Sequence, residues 1–326
     1  MREIICRVLL LSDFHKLSVP VGKQKGQNLK FLEKIAEGII NIWKRWNMKY
    51  AIPKMMHKLF CMTAQQGEKF DLQIINGDVI ECEYNERGIM MEVDRQELRR
   101  MINTITSGVA LEKTFVVAGD HELGYRLPLS TDPKGGISPQ SIDNFVHVVG
   151  PLWQTFSIEK IHFLLLNSSL MIQKTDHLSL VSQERIERLR IKQQAFVIST
   201  LEKIAESETV FVFLHDPDAI VEFNAYIRDF YYVHNKNFTV FCGHMHAEFS
   251  LLAYKKLGEL ASSKYAFILP AKILKWAKSN GWRLQLFEKY DLQIIPAPGG
   301  MMGIGGGFKV LNIHKDGTFE VRKCKT

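Results

Sequence analysis

Asp71-Leu-Gln-Ile-Ile-Asn-Gly-Asp78 is a mostly apolar, β-favouring run that stops abruptly at Asn76-Gly77 and delivers a carboxylate. The same event recurs along the chain. Arg7-Val-Leu-Leu-Leu-Ser-Asp13-Phe-His15, Thr114-Phe-Val-Val-Ala-Gly-Asp120-His121-Glu122, Thr209-Val-Phe-Val-Phe-Leu-His215 and Phe238-Thr-Val-Phe-Cys-Gly-His244-Met-His246 each read as a short buried strand with Asp or His at its carboxyl end. Ligands of α/β sheets bind beyond the carboxyl ends of strands, so five such ends are expected to converge on one place.

At 326 residues, with 46% hydrophobic and 24% charged content, the chain has the composition of a soluble globular protein with room for a substantial core. We read one domain over residues 1–326. A net charge of +7 favours anionic partners without naming one. Cys6, Cys61, Cys82, Cys242 and Cys324 are scattered, odd in number and without a Cys-x-x-Cys pair, which argues against a disulfide framework or a thiolate zinc site and for a reducing compartment. Arg2 ahead of Ile4 to Leu11 faintly imitates a secretory leader, but no small-residue cleavage site follows, and the expectation is a mature cytoplasmic start. No uncharged apolar run approaches the roughly 18 residues of a membrane span.

Between the strand ends the pattern changes. Asp13 and His15 stand two apart, which in extended backbone aims both side chains to one side. From about 29 to 62 the apolar residues recur at helical spacing, Pro53 is expected to break or kink the helix, and Lys44-Arg45-Trp46, Lys49-Tyr50 and Lys54 to Lys58 make it basic and aromatic. Such a segment is an insertion that packs as a surface helix, or holds nucleic acid or an anionic membrane surface. Helices are expected near Asp94 to Ser107, Gln183 to Glu206 and Pro270 to Ala277, with a loop over Gly124 to Ser141. Strands are expected over His162 to Asn167, Gly281 to Phe287 and Asp291 to Ile295. Pro296 to Gly307 lacks the ending of a phosphate-cradling loop and reads as a flexible loop near the site mouth. Phe308 to Ile313 and Thr318 to Lys323 form a hairpin around Asp316-Gly317, closing an elaborated C-terminal region of about 250–326.

Asp13, His15, Asp78, Asp120, His121, His215, His244 and His246 are too many ligands for one zinc ion, which takes about four. They suit two adjacent cations sharing a carboxylate, the arrangement that activates water and neutralises a phosphoryl group undergoing in-line displacement. His57, His147, His162, His177, His234 and His314 fit no such pattern and read as ordinary core or surface residues.

Taken in order, Asp13-Phe-His15, Gly77-Asp78, Gly119-Asp120-His121-Glu122, His215 and Gly243-His244-Met-His246 resemble the motif set of the calcineurin-like metallophosphoesterases over residues 7 to 246. The resemblance implies an α/β fold, a four-layer α-β-β-α sandwich with two mixed β-sheets. It implies two transition-metal ions (Mn, Fe or Zn), with Asp13, His15 and His246 on the first, Asp120, His215 and His244 on the second, and Asp78 bridging. His121 would stand beside the phosphate as the catalytic residue, assisting departure of the leaving oxygen after attack by a metal-bridging hydroxide.

Two departures from the family pattern stand out: Asp120 replaces an Asn, and the first two motifs are unusually far apart. Two divalent ions, three aspartates and one hydroxide sum to zero charge, so Asp120 is expected to shift preference toward a harder or higher-valent ion. The implied partner is a phosphorylated substrate, whether monoester, diester or pyrophosphate. Alternatives of other classes are a nucleotide-lipid pyrophosphatase at a membrane surface, a nuclease, and a catalytically decayed binding scaffold.

Overall fold

The computed structural model describes residues 2–17, 46–65, 67–81, 92–106, 109, 111–124, 136–230, 236–263, 281–300 and 304–325. One five-stranded sheet contains β1 (Ile4–Leu11), β3 (Leu72–Asn76), β5 (Thr114–Val117), β11 (Gly307–His314) and β12 (Phe319–Lys325), in the order β12-β11-β1-β3-β5. Its β1, β3 and β5 are parallel, and β11 and β12 form an antiparallel hairpin on the edge. The other sheet holds β6 (Gln154–Ile158), β7 (Ile161–Leu165), β8 (Thr209–Leu214), β9 (Asn237–Cys242) and β10 (Gln293–Ile294), in the order β10-β9-β8-β7-β6, with only the β6–β7 pair antiparallel. Two short strands, β2 (Lys16–Leu17) and β4 (Ile80–Glu81), pair beyond the first sheet.

The period-2 alternation of side chains along each strand builds the layers. In β1, Val8 and Leu10 face the space between the sheets, whereas Leu9 and Leu11 face outward. In β8, Phe211 and Phe213 face inward and Val210, Val212 and Leu214 outward. Helices cover both outer faces. α1 (Ile52–Phe60), α2 (Glu92–Ile105) and α4 (Pro139–Val148) place Met55, Leu98 and Phe145 against the first sheet. On the second sheet, α6 (Leu180–Leu201), α7 (Ile220–Ile227), α8 (Glu248–Ser262) and α9 (281–289) place Val197, Phe223, Leu251 and Phe287. Two further short helices, α3 (Asp120–Leu123) and α5 (Ser168–Ile172), begin directly after strands. The result is the α-β-β-α sandwich with two mixed sheets.

Between the sheets a row of phenyl rings crosses from one to the other. Phe115 of β5 stacks on Phe156 at 4.2 Å between centroids, Phe156 on Phe163 at 4.5 Å, and Phe213 on Phe241 at 5.0 Å, with interplanar angles of 19°, 11° and 13°. Stacked aromatic pairs add to the large area each ring removes from water; the row lines the inner face of the second sheet and reaches the first through Phe115.

Several expectations need revising. Residues 281–287 are helical, not a strand: Phe287 and Tyr290 are buried in the outer core with Leu284 packed beside them, a spacing of three that belongs to a helix. The β10 strand over Gln293–Ile294 already takes the neighbouring sheet edge. Pro53 lies within a continuous helical run, Ala51 and Ile52 both having helical dihedrals, and the irregularity expected of it falls in the π-helical turn Asn47–Ala51 just before it. The long helix α6 begins at Leu180 because Ser179 caps it; its first turn exposes Leu180 and Val181 and shows no periodicity to read. Residues 29–45 of the basic insertion, most of the loop after Gly124 and the helix over 270–277 lie outside the described residues.

Truncating Phe213 to Ala should cost about 3–5 kcal/mol of unfolding free energy. Ile191→Ala, on an exposed face of α6, should cost less than about 0.5 kcal/mol. Denaturant unfolding of the two variants checks this, and equal midpoints would contradict the inter-sheet role of the ring.

Candidate dinuclear metal centre

β1, β3 and β5 run parallel in one sheet and β8 and β9 in the other, so all five expected strand ends open at the same rim of the sandwich. The backbone continues the β1–β3 pairing past the strands: Asp13 N–H donates to Gly77 C=O at 3.0 Å and His15 N–H to Asp78 C=O at 2.9 Å. Asp13 and His15 converge, but not by the extended geometry expected. Both lie in the left-handed region, at φ 55° and 47°, with Phe14 buried between them. Asp78, His244 and His246 share that conformation, at φ 53°, 56° and 59°. Asp and His are among the non-glycine residues that tolerate it best, and strained backbone of this kind clusters where function over-determines geometry.

The side chains gather into two groups of potential ligand atoms, each within 4.8 Å of one another: Asp13, His15 and His246, and Asp78, Asp120, His215 and His244. Asp78 also groups with His15 and His121, so it stands between the two. Within the first group, His246 Nε2 lies 3.3 Å from Asp13 Oδ1 and 3.0 Å from His15 Nε2. Within the second, His215 Nε2 lies 3.0 Å from Asp78 Oδ2 and 3.2 Å from Asp120 Oδ1, and His244 Nδ1 lies 3.3 Å from Asp120 Oδ1. Donor atoms bonded to one cation at about 2.0–2.2 Å necessarily sit about 3–4 Å apart.

Buried orphans show that these residues fit a metal. Asp78 Oδ2, Asp120 Oδ1 and His215 Nε2 are buried without a hydrogen-bond partner, although they face one another closely. Leaving such groups unsatisfied is costly, and a cation among them removes the cost. The ring orientation agrees. His215 Nδ1 lies 2.7 Å from Asn76 C=O, which can only accept, so Nδ1 carries a proton and Nε2 is the nitrogen turned toward the carboxylates.

Charge is concentrated here. For Asp13, burial raises the carboxyl pKa, but His15 and His246 outweigh it and hold it well below the usual range. Asp120 is likewise lowered: burial opposes ionisation, and His215 and His244 win. On His244 burial favours the neutral ring, yet Asp120 and Asp216 push it up to about 9. A set of anions that is already ionised, with imidazoles drawn to it, is suited to cations.

His121 is placed differently. Its backbone N–H donates to Asp78 Oδ1 at 3.1 Å, its ring packs edge-on against His15 at 4.7 Å, and its Nε2 is 3.9 Å from Asp78 Oδ2.

Four supporting residues were not singled out from sequence. Glu122 is fully buried and accepts the backbone N–H groups of Asp78 (2.9 Å), Val79 (2.6 Å), Ile80 (3.2 Å) and Gly119 (2.9 Å), clamping the turns after β3 and β5 together. Burial, then Asp78, raises its carboxyl pKa to about 7 against the pull of His215 and the Ile80 amide. Its placement three residues after Gly119 is the spacing by which a helix N-terminus is capped, a signal present in the sequence. Ser12 donates to Asp13 Oδ2 (2.5 Å) and Asn76 C=O (2.8 Å), and Asn76 Nδ2 donates to Leu214 C=O (3.0 Å). Asp216 Oδ2 lies 3.9 Å from His244 Nε2. Gly119 has no substitute, because a Cβ there would fall on the Asp78 carboxylate and its backbone nitrogen.

Glu122→Ala leaves four amides without their acceptor. We expect at least a tenfold loss of metal affinity and a lower melting temperature, with Glu122→Gln intermediate. Metal titration alongside thermal melting checks this, and unchanged metal affinity in Glu122→Ala would refute the clamp.

No curated protein sequence matches the chain. Among solved structures, a similar chain is the phosphopantetheinyl hydrolase PptH of Mycobacterium tuberculosis, 14% identical, with 75% of this chain and 83% of that one covered and a TM-score of 0.34. A likeness of that degree says nothing of this chain's substrate. The calcineurin-like phosphoesterase model matches residues 6–248, well over half of the sequence, and the chain belongs to that family.

Proposed function

We propose that the protein hydrolyses phosphoric esters or anhydrides at a dinuclear metal centre. Asp13, His15 and His246 would hold one cation, Asp120, His215 and His244 the other, and Asp78 would bridge them. The observation that carries this reading is the pair of donor groups, with Asp78 a member of one and also grouped with His15 of the other. Two cations bound there would neutralise phosphoryl charge and supply water of lowered pKa as the nucleophile.

The remaining work falls to the chain's own residues. Asn76 engages His215 Nδ1, so that Nε2 is the nitrogen left for a cation. Glu122 and Ser12 hold Asp78 and Asp13 in place. His121, held by its backbone at Asp78 with its ring against His15, is the group we assign to protonating the leaving oxygen. Asp120 adds a negative charge that a neutral amide would lack, which lowers the net positive charge at the phosphoryl site and favours a harder or higher-valent ion.

Aryl phosphate mono- and diesters offered with added manganese, zinc or iron should be hydrolysed, and chelation should abolish the rate. Complete inactivity of the folded protein with every metal would sink the proposal and leave a metal-dependent binding module. His121→Ala should retain bound metal while losing about 10²–10⁴ in kcat; loss of metal instead would make it a ligand. Asp120→Asn should change which metal is taken up, read from metal content after exposure to an equimolar mixture, and identical selectivity would remove the charge argument.

A further inference from the structure

Lys309 of β11 is only 3% exposed, and by the alternation of the strand its side chain falls on the inner face of the first sheet with Leu311 and Ile313. Its ammonium reaches across to elements of the second sheet. Lys309 Nζ lies 2.8 Å from Glu248 Oε1 and donates to Gln293 Oε1 at 3.1 Å. Lys323, opposite Lys309 in the β11–β12 hairpin, takes the other Glu248 oxygen at 2.7 Å. The first sheet thus grips α8 by its first residue and β10 by Gln293.

The two grips flank one proposed metal ligand. Glu248 follows His246 by two residues, with only the buried N-cap Ala247 between them. Gln293 opens the segment that runs through Ile295 to Ala297. Ile295 N–H donates to Cys242 C=O at 2.7 Å, ahead of the His244 loop, and Ala297 N–H donates to His246 C=O at 3.0 Å. His246 itself sits at φ 59°, a conformation that its surroundings have to impose. On its own sheet Lys309 pairs with Leu10, near the end of the strand that leads to Asp13 and His15. One buried ammonium therefore stands where the end of β1 meets the loop that carries His246.

Stability alone does not account for a lysine here. Taking an ammonium out of water is costly, and replacing a buried ion pair by apolar side chains of similar size is often neutral or stabilising. Leu311 and Ile313 show that this face accepts aliphatic side chains. What an aliphatic residue could not supply is direction, because it cannot hold acceptors from two separate elements at one point. Gln293, Lys309 and Lys323 also lie beyond residues 6–248 that match the family model, so this bracing belongs to the C-terminal part of the chain.

We propose that Lys309, acting through Glu248 and Gln293, is a positioning residue for His246, and that it sets the affinity of the cation site formed by Asp13, His15 and His246 without affecting that of Asp120, His215 and His244. The inference rests on reading these residues as a dinuclear metal centre.

The test is a calorimetric titration of the metal-free full chain with manganese, with His15→Ala identifying the binding step that belongs to the Asp13 site. Lys309→Met should weaken that step at least about tenfold and change the other less than about twofold. The metal-free protein should still melt within about 3 °C of the wild type, because Glu248 keeps Lys323 as its partner. Glu248→Gln, at a partly exposed position, should reproduce the site-selective loss, and the double variant should bind no more weakly than Lys309→Met alone. Unchanged binding in Lys309→Met would overturn the proposal. So would an equal weakening of both steps together with a lowered melting temperature, which would make Lys309 a general support of the fold. If Lys309→Met does not fold, Glu248→Gln decides by the same criteria. A wild-type chain that takes up no cation would reject the metal centre and this role with it, whereas two normal binding steps that neither variant alters would reject the role of Lys309 alone.

Discussion

Asn76 is the residue through which the two sheets are joined at the rim that matters. Its side chain donates across to Leu214 C=O at the end of β8, and its own carbonyl accepts from Ser12 Oγ and from His215 Nδ1. Three strand ends from two sheets thus meet at one peptide unit. Buried hydrogen bonds of this kind are each worth only about 1 kcal/mol net, but breaking one strands a buried polar group and costs more. Register is the larger consequence: if the sheets slid past each other, Asp13 and Asp78 could no longer face His215 and His244. The apolar layer between the sheets, phenyl rings together with Val8, Leu10, Ile74 and Leu311, supplies the adhesion, and Asn76 supplies the alignment.

Electrostatics builds on that alignment. Asp13 Oδ1 accepts from the His244 backbone N–H at 2.9 Å, so a carboxylate from the first sheet also orients a loop of the second. Glu122 does the equivalent within the first sheet. Asp13, Asp78 and Glu122 thus each bond a backbone amide, whereas Asp120 bonds none among the described residues.

How much of this could be read from the residues depends on which physical signal carried it. The central strands were legible because Val, Leu, Ile and Phe run unbroken and end in Asp or His, and a strand buried on both faces has no other way to look. The α9 helix was misread because Trp282, Leu284 and Leu286 alternate over too few residues to separate a period of 2 from one of 3.6. The strand β6 and the helices α4, α7 and α8 were passed over. The β6 strand, at the edge, has an intermediate-exposed alternation with a weak apolar signal, and α8 has its buried residues interleaved with Lys and Glu. Within the site, the acids and imidazoles were visible, whereas Ser12, Asn76 and Asp216 were hidden: Ser12 and Asn76 work through the backbone of a different strand, and Asp216 through the ring of His244, far off in sequence.

The left-handed turns at Asp13, His15, Asp78, His244 and His246 restrict what this site can become. A β-branched side chain at any of them would clash with its own carbonyl, at about 1–2 kcal/mol apiece, whatever chemistry the position served. Drift in a lineage that abandoned catalysis would be channelled toward glycine, asparagine or aspartate there and away from valine or isoleucine. The loops would then keep their shape long after the imidazoles had gone, and an inert descendant would still carry the outline of the cradle.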